Sequence, residues 1–367
     1  MNPTLKLTVL MPCLNESETL ERCIQKAHKG AQASRAAGSY EIVVADNGST
    51  DGSQDIARAN GARVVDIPMR GYGAALQGGI KAAYGEYVIM ADSDDSYDFS
   101  VLEPFLAQLD AGYELVMGTR MKGQIMPGAM PVLHQYLGNP VLTFIGNLFF
   151  KVRLSDFHCG IRAFRRDAML ALNLRTTGME YASEMVISAA LNNMKRTEIP
   201  VTLYPDGRSR PPHLRTWRDG WRHLRFMLLY SPRWLFLYPG LLLLAFGGVI
   251  SLPLFFAPLR IGPITLDVHT LLITATLMVI GVQLVFLAVF ARTYAARIGV
   301  LPPNVRLETI LERFTLGSGL ILGAVMMLIG LVIYAVSFFS WAGTGFSPIL
   351  DYQPTLRAVI LGTLILL

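Results

Sequence analysis

The first 233 residues alternate between short apolar runs and longer stretches whose apolar positions repeat with helical spacing. The apolar runs predict β-strands at residues 6–11, 40–45, 63–67 and 87–91, with helices between them around residues 16–33, 53–60 and 74–83. This alternation predicts an α/β domain with a parallel sheet and right-handed crossovers. Ligands of such sheets bind beyond the carboxyl ends of the strands, so the polar residues there are the first candidates for chemistry.

The remaining residues, 234–367, have long apolar stretches with few charges. Those at residues 234–257, 268–291 and 314–339 are each about 36 Å long as helices, enough to cross a bilayer core of about 30 Å. A fourth stretch, 356–367, gives about 18 Å of helix, so we expect an incomplete last span. The pattern predicts an all-α transmembrane region of about four spans in two hairpins.

The basic residues predict how this region is oriented. Four of them lie in the loop between the second and third spans: Arg292, Arg297, Arg306 and Arg313. The other loops of the region carry few lysines or arginines. The positive-inside rule therefore places this loop, and a catalytic domain at residues 1–207, on the cytoplasmic side of a multi-pass cell-membrane protein.

A second basic segment, residues 208–233, precedes the first span and interleaves arginines with Trp217 and Trp221. This composition is typical of an amphipathic helix at the lipid headgroups. We therefore attribute the net charge of +5 to anionic lipid or a phosphorylated substrate, and expect a lipid bilayer but no nucleic acid as a partner. The three cysteines lack framework spacing, which favours a reducing compartment.

The first three strands are followed by short polar turns. Their notable members are Pro12, Asn15 and Glu16 after the first strand, Asp46 and Asp51 after the second, and Gly71 and Gly73 after the third. An aspartate at a strand end can accept a hydrogen bond from a nucleobase or ribose. Glycines at a helix start let backbone N–H groups approach an anion. Each turn is also compatible with a purely structural role.

The fourth strand ends in an acidic cluster, Asp92-Ser93-Asp94-Asp95. Carboxylates so close together repel one another unless a cation lies between them. Hard oxygen ligands suit Mg²⁺ or Mn²⁺, which also bind diphosphate oxygens. The cluster therefore predicts Mg²⁺ or Mn²⁺ at Asp92 and Asp94, with a solvated acidic turn as the alternative.

In this order the motifs resemble those of glycosyltransferase family 2, which has the Rossmann-like GT-A fold. Three later motifs are similar to the polyprenyl-phosphate branch, which includes dolichol-phosphate mannose and glucose synthases: Gly118-Thr119-Arg120, residues 156–162 and residues 180–184. The resemblance covers residues 5–215, and the membrane hairpins also resemble those of anchored members.

The resemblance implies a role for each matching residue. The nucleotide-sugar would contact Pro12, Asn15, Glu16, Asp46, Asp51, Gly73, Asp92 and Ser93, with Asp46 at the base and the metal at Asp92 and Asp94. Catalysis would involve Asp94, Asp156, Arg120 and Arg162, the arginines by holding phosphate. The acceptor side would comprise His158, Glu184, Arg208, Ser209 and Arg210.

These roles predict an inverting transfer of a hexose from a nucleotide-sugar, of UDP-glucose or GDP-mannose type, to a polyprenyl or dolichyl phosphate. That phosphate is anionic near neutral pH, since its second pKa is about 6, so no strong general base is needed.

A processive polysaccharide synthase is the nearest alternative function. Its Gln-x-x-Arg-Trp motif is incomplete here, because residues 230–234 read Tyr-Ser-Pro-Arg-Trp. A non-enzymatic membrane carrier or scaffold with a degenerate transferase domain is the alternative from another class, and the intact acidic cluster argues against it. Association into a homo-oligomer stays open.

Overall fold

The computed structural model describes residues 5–209, 216–349 and 351–367. The chain divides into two compact units, Met1–Met227 and Leu228–Leu367, here called the catalytic unit and the membrane unit. The boundary lies close to the change of pattern in the sequence.

The catalytic unit contains a seven-stranded sheet in the order β3-β2-β1-β4-β6-β5-β7. Its first half comprises β1 (Leu5–Cys13), β2 (Tyr40–Asp46), β3 (Arg63–Asp66) and β4 (Gly85–Met90), with helices α1 (Leu20–Gln32), α2 (Ser53–Ala59) and α3 (Tyr72–Ala82) between them. These four strands are mutually parallel, as the alternation predicted.

Helices cover both faces of this half, which explains the continuous apolar runs. Val9 of β1 belongs to the core cluster that includes Ile24 of α1. On the opposite face, Gly79 of α3 lies so close to Leu10 and Ala45 that any side chain there would force them apart. Strands buried on both faces lack a polar alternation, and this is what the sequence shows.

Helix α1 begins at Leu20, four residues later than the predicted start at residue 16. The intervening residues 17–19 form a separate turn, in which the backbone N–H groups of Thr19 and Leu20 donate to the Glu16 carbonyl. The turn leaves Glu16 at the strand end rather than on a helix surface.

The second half of the sheet contains β5 (Leu115–Ile125), β6 (Arg162–Arg165) and β7 (Arg196–Leu203). Its helices are α4 (Glu103–Asp110), α5 (Asn139–Phe150), α6 (Arg166–Ala171) and α7 (Tyr181–Leu191), with α8 (Thr216–Leu229) after β7. Strand β6 runs antiparallel to both β4 and β5, so the expectation of a parallel sheet is wrong here. The chain leaves β5 at the carboxyl edge and enters β6 from the same edge, without a crossover.

The membrane unit contains α9 (Tyr238–Leu254), α10 (Val268–Arg297), α11 (Val305–Arg313), α12 (Leu316–Gly343) and α13 (Gln353–Leu366). Among the described residues, three helices are long and apolar enough to cross a membrane: Arg233–Leu254, Val268–Arg297 and Leu316–Gly343. Helix α9 packs against α10, and α12 against α13, in the two predicted pairs. The expectation of an all-α region is wrong at one place, because β8 (Leu259–Ile261) and β9 (Ile264–Leu266) form a hairpin between α9 and α10.

Candidate active site

The acidic cluster after β4 separates into two parts. Asp95 has φ 64°, and its carboxylate lies 2.6 Å from Lys26 Nζ. Asp94 accepts hydrogen bonds at Oδ1 from the backbone N–H and hydroxyl of Ser96, at 3.1 and 2.5 Å. Asp92 and Asp94 therefore remain as the carboxylate pair at this strand end, and Asp95 is occupied elsewhere.

The electrostatics of this pair favour a cation. Burial, together with the negative charge of Asp94, raises the pKa of Asp92 to about 6, although the Tyr72 hydroxyl donates a hydrogen bond that opposes the shift. A carboxyl whose ionisation is opposed in this way gains when positive charge arrives.

Arg208 supplies positive charge to this edge within the protein itself. Its guanidinium lies 2.9 Å from Asp94 Oδ2, 3.1 Å from Glu16 Oε1 and 3.0 Å from Asp206 Oδ2. The resemblance implied an acceptor-side role for Arg208, whereas the structure places it on carboxylates of the predicted donor side. The backbone N–H and hydroxyl of the next residue, Ser209, bond to Glu18 at 2.7 and 2.6 Å.

The last residue of the predicted acceptor segment, Arg210, lies outside the described residues.

The Asp92–Asp94 pair fits a divalent cation that arrives with its substrate. In the part of the chain that the structure describes, no group of three or more His, Cys, Asp or Glu side chains could hold a metal ion. Mg²⁺ commonly binds through one or two carboxylates plus substrate phosphates and water, so two carboxylates suffice if a diphosphate supplies the other ligands.

A cavity of about 430 Å³ opens beside the carboxyl end of β2. It is lined by Asp46, Gly48, Gln54, Asp66, Ile67, Pro68 and Arg70. Burial opposes ionisation of Asp46, but hydrogen bonds from Ser49, Gln54 and Gly48 outweigh it and lower the pKa. The distance from Gln54 Nε2 to Asp46 Oδ2 is 2.7 Å. An ionised acceptor in a cavity of this size suits a nucleobase.

Gln54, Asp66 and Arg70 were missed as cavity residues by reasoning from the sequence. Gln54 offers one signal that could have identified it. It lies in the first turn of the helix that follows the turn after Asp46, so its side-chain amide can reach back to the aspartate.

Other predicted donor-side residues hold the turns together. Asn15 Oδ1 accepts from the backbone N–H of Thr50 at 2.8 Å, and Asp51 accepts from the Ser53 hydroxyl at 2.6 Å. Hydrogen bonds such as this one overcome the burial of Asp51 and lower its pKa to about 2.

Two further donor-side residues, Pro12 and Ser93, connect β1 to the acidic cluster. The hydroxyl of Ser93 donates to the carbonyl oxygen of Pro12 at 2.8 Å.

Two predicted site residues, Gly73 and Glu184, make contacts that hold neighbouring parts of the fold together. A Cβ on Gly73 would lie 2.6 Å from Tyr181 Cβ, so the glycine permits close packing of α3 against α7. Glu184 is buried and accepts from the Thr176 backbone N–H and hydroxyl at 2.8 and 2.6 Å. These contacts fix the turn before α7.

A cationic cluster lies beside the carboxylate pair. Arg120, in β5 where its register with β7 shifts, forms a two-pronged ion pair with buried Asp156, at 2.6 and 2.8 Å. Arg162 begins β6 and pairs in register with Met90, two residues before Asp92. Gly160, two residues before Arg162, lies against the Asp92 side chain, since a Cβ there would be 3.1 Å from Asp92 Oδ2.

Arg162 is fully buried and has no carboxylate bonded to it among the described residues. Its Nε donates to the Cys159 carbonyl at 2.9 Å and its Nη1 to the Ala182 carbonyl at 2.5 Å. Its Nη2 is buried with no hydrogen-bond partner in the described part of the chain. Burial lowers the pKa of Arg162 from its ordinary value, but arginine stays charged in proteins.

His158 lies near this arginine. Burial, then the neighbouring His223, Arg162 and Arg120, hold the pKa of His158 well below its ordinary value, so the imidazole is neutral near pH 7. The structure thus brings Arg120, Asp156, His158 and Arg162 together beside Asp92 and Asp94.

This arrangement, on this sheet, defines the class of GT-A glycosyltransferases. Residues 8–172 match the family model described as glycosyl transferase family 2, and residues 289–367 match the family 2 C-terminal transmembrane region. The chain belongs to glycosyltransferase family 2, which confirms the predicted family, fold class and enzymatic nature.

Two relatives from Haloferax volcanii cover different extents. The low-salt glycan biosynthesis hexosyltransferase Agl6 is 36% identical over 360 residues, covering 96% of this chain and 85% of the relative. A dolichyl-phosphate hexose transferase is 29% identical over 198 residues, covering 53% of this chain and 81% of its own. With these relatives, the chain is a hexosyltransferase of the family 2 type and a membrane protein.

A solved structure also resembles the chain. It is glucosyl-3-phosphoglycerate synthase from Mycobacterium tuberculosis in complex with Mn²⁺, uridine diphosphate and glucosyl-3-phosphoglycerate. The TM-score is 0.47 at 21% identity, over 61% of this chain and 79% of that one.

Proposed function

We propose that this enzyme transfers a hexose from a nucleotide-sugar to a polyprenyl or dolichyl phosphate, with inversion, at the cytoplasmic face of the membrane. The observation that carries the acceptor assignment is the fully buried Arg162 guanidinium with its unpartnered Nη2. Leaving a charged group buried without a counter-ion costs several kcal/mol, typically about 3–5. An anionic ligand beside Arg162 would relieve that cost.

The anion that Arg162 would bind differs from the donor diphosphate. We assign the donor diphosphate to Asp92 and Asp94, and the nucleoside to the cavity that Asp46 lines. A metal bound at the two carboxylates would neutralise the charge of the leaving diphosphate. The anion beside Arg162 is therefore assigned to the acceptor, and a phosphate monoester suits a guanidinium best.

In this arrangement the chemistry is a single displacement. An oxygen of the acceptor phosphate forms a bond to the anomeric carbon as the bond from that carbon to the nucleoside diphosphate breaks. Because the acceptor oxygen is already ionised, no side chain has to remove a proton. Arg120 and Asp156 hold each other in place by their ion pair. Positioning of the substrates, together with charge, lowers the activation barrier of the transfer.

The membrane unit supports a lipid-linked acceptor. Three helices of the described chain could span a bilayer, and four arginines lie in the C-terminal part of α10 and in α11. A chain anchored in this way would meet a lipid phosphate at the headgroup level, and one relative is named for dolichyl phosphate. These arginines, between the second and third spans, support the cytoplasmic orientation.

The test uses two acceptors that differ only in the phosphate. Purified full-length protein in vesicles receives Mg²⁺ and radiolabelled UDP-glucose or GDP-mannose, with either undecaprenyl phosphate or undecaprenol. We expect label in the lipid fraction with the phosphate and none with the alcohol. Equal labelling of both lipids, or a growing polysaccharide without lipid label, would contradict the proposal.

A further inference from the structure

Three side chains connect α8 to the cationic cluster. The Ser183 hydroxyl lies 2.8 Å from His223 Nδ1 and 3.3 Å from His158 Nε2. The two imidazole rings meet edge to face, with centroids 4.8 Å apart. Ser183 and His223 are buried, so water does not compete for these bonds. The function proposed above leaves Ser183 and His223 without a role.

The same turn of α7 also contacts Arg162. The Ala182 carbonyl accepts from Arg162 Nη1 at 2.5 Å, one residue before Ser183. The hydrogen-bonded triplet therefore borders the guanidinium that is assigned to the acceptor phosphate. At the His158 end of the triplet, the ring atom Nδ1 is buried and has no hydrogen-bond partner among the described residues.

The single hydrogen of a hydroxyl restricts the order of these bonds. Ser183 can donate to one ring and must accept from the other. If it donates to His158 Nε2, then His223 donates its Nδ1 hydrogen to Ser183, and neutral His158 carries its own hydrogen on Nδ1. In the opposite order His158 Nδ1 has a bare lone pair, which would repel a bound anion.

We propose that His223 is a positioning residue for the acceptor phosphate. Through Ser183 it holds His158 in the Nδ1–H tautomer, so that this hydrogen can be donated to a phosphate oxygen beside Arg162. The inference rests on the proposed function, because it assigns the anion at Arg162 to the acceptor. It makes α8, which also carries exposed Trp217 and Trp221, a part of the acceptor site.

The experiment compares substitutions at the two ends of the relay. Ser183→Ala removes the hydroxyl with little change in volume. His223→Asn keeps a donor near the Nδ1 position, whereas His223→Gln places its amide near the Nε2 position. The control is Ser188→Ala, a buried serine on the same helix. Each full-length variant is assayed in vesicles with undecaprenyl phosphate, and nucleotide release is also measured without acceptor.

One hydrogen bond to the phosphate corresponds to about a tenfold change in binding. We expect S183A and H223Q to raise the KM for undecaprenyl phosphate roughly tenfold, H223N to raise it less, and S188A to leave it unchanged. Hydrolysis of the donor without acceptor should be the same in all of them. The double variant S183A/H223Q should be no worse than either single variant, because both break one relay.

Three results would overturn the inference: an unchanged KM in S183A, additive losses in the double variant, or equal loss of donor hydrolysis. Failure of the proposed function looks different. In that case the unmodified protein itself would not label undecaprenyl phosphate.

Discussion

The catalytic unit and the membrane unit differ in how they bury their residues. The catalytic unit encloses large apolar side chains such as Phe99, Phe105 and Leu10, and buried ionisable groups such as Asp46, Asp94 and Arg162 lie at the carboxyl edge of its sheet. In α12 of the membrane unit, whose residues are all described, Gly330 alone is buried and the apolar side chains point outward. The difference follows from the surrounding solvent, because exposed apolar side chains are favourable in lipid and unfavourable in water.

Small and polar residues hold the helices of the membrane unit together, beside an apolar cluster that includes Leu254, Leu271 and Ile360. A Cβ on Gly281 would lie 2.8 Å from the Gly240 carbonyl oxygen, so α9 and α10 cross at backbone distance. Ser251 donates to Thr274 at 2.7 Å within the same pair. The comparison teaches that buried polar groups of the membrane unit serve assembly, whereas those of the catalytic unit serve both assembly and the candidate site.

The largest expected effect comes from removing a carboxylate of the catalytic unit. Asp94→Ala should lower the transfer rate about a thousandfold, because the proposed metal would lose a ligand and the leaving diphosphate its neutralising charge. The rate of lipid labelling measures this loss. Asp55→Ala is the control, since its carboxylate is on the surface and pairs with Arg58. An Asp94→Ala enzyme of normal rate would refute the metal assignment.

The next effect concerns the helix crossing in the membrane unit. Gly281→Ala should destabilise the protein by up to about 3 kcal/mol, because the added methyl meets a backbone carbonyl that cannot rotate away. The fraction that stays folded after heating in detergent reports the change. Gly323→Ala has open space around the new methyl and should be neutral or slightly stabilising. Equal behaviour of the two variants would count against packing through small residues.

A smaller effect is expected at the ion pair between α10 and α13. Arg357 lies 2.5 Å from Asp267, and Arg357→Met would leave that carboxylate unpaired. We expect a loss of about 2 kcal/mol, below the usual cost of unpairing a buried charge, because both side chains keep some exposure. Thermal unfolding measures it. Adding Asp267→Asn should restore much of the loss, and a double variant less stable than Arg357→Met would contradict this explanation.

The smallest effect is a dependence on pH. Burial and the charge of Asp94 raise the pKa of Asp92 to about 6, so protonation below that pH would remove it as a ligand of the proposed metal. Mn²⁺ binding, measured by electron paramagnetic resonance, should weaken up to about tenfold for each unit below pH 6. Asp92→Asn should remove this step, and a flat profile in the unmodified protein would exclude Asp92 as a ligand.

The raised pKa of Asp92 also makes the stability of the fold depend on pH. The pKa of Asp92 in the folded protein lies above its ordinary value of 3.8. The fold therefore holds the proton more tightly than the unfolded chain does. This group's contribution to stability is lost as the pH rises from about 4 to about 6.

Local pattern was sufficient to predict β1 to β4, because strands buried on both faces have a strong apolar signal. The direction of β6 was not predictable in the same way. Arg162 begins a strand of four residues, and nothing in so short a run encodes which way it crosses the sheet. Its neighbour β4 and the return path from α5 set that direction.

For the site, the sequence indicated which residues are candidates better than it indicated which of them contact one another. Asp92 and Asp94 were identified as a pair from their spacing, and Asp46 from its place at a strand end. The bond between Arg208 and Asp94 joins positions far apart in the chain, which pattern does not reveal. Ser183 and His223 look like ordinary helix residues until the fold brings them to His158.

The reversed strand also explains how such an enzyme can diversify. The chain leaves the sheet at Ile125 and re-enters it at Arg162, so the intervening segment of loop and helix begins and ends at the same edge of the sheet. That segment carries Asp156 and His158, whereas the cavity at the carboxyl end of β2 is lined entirely by earlier residues. Evolution can lengthen, shorten or exchange it without shifting any strand, and new acceptors can be acquired while the donor machinery is inherited intact.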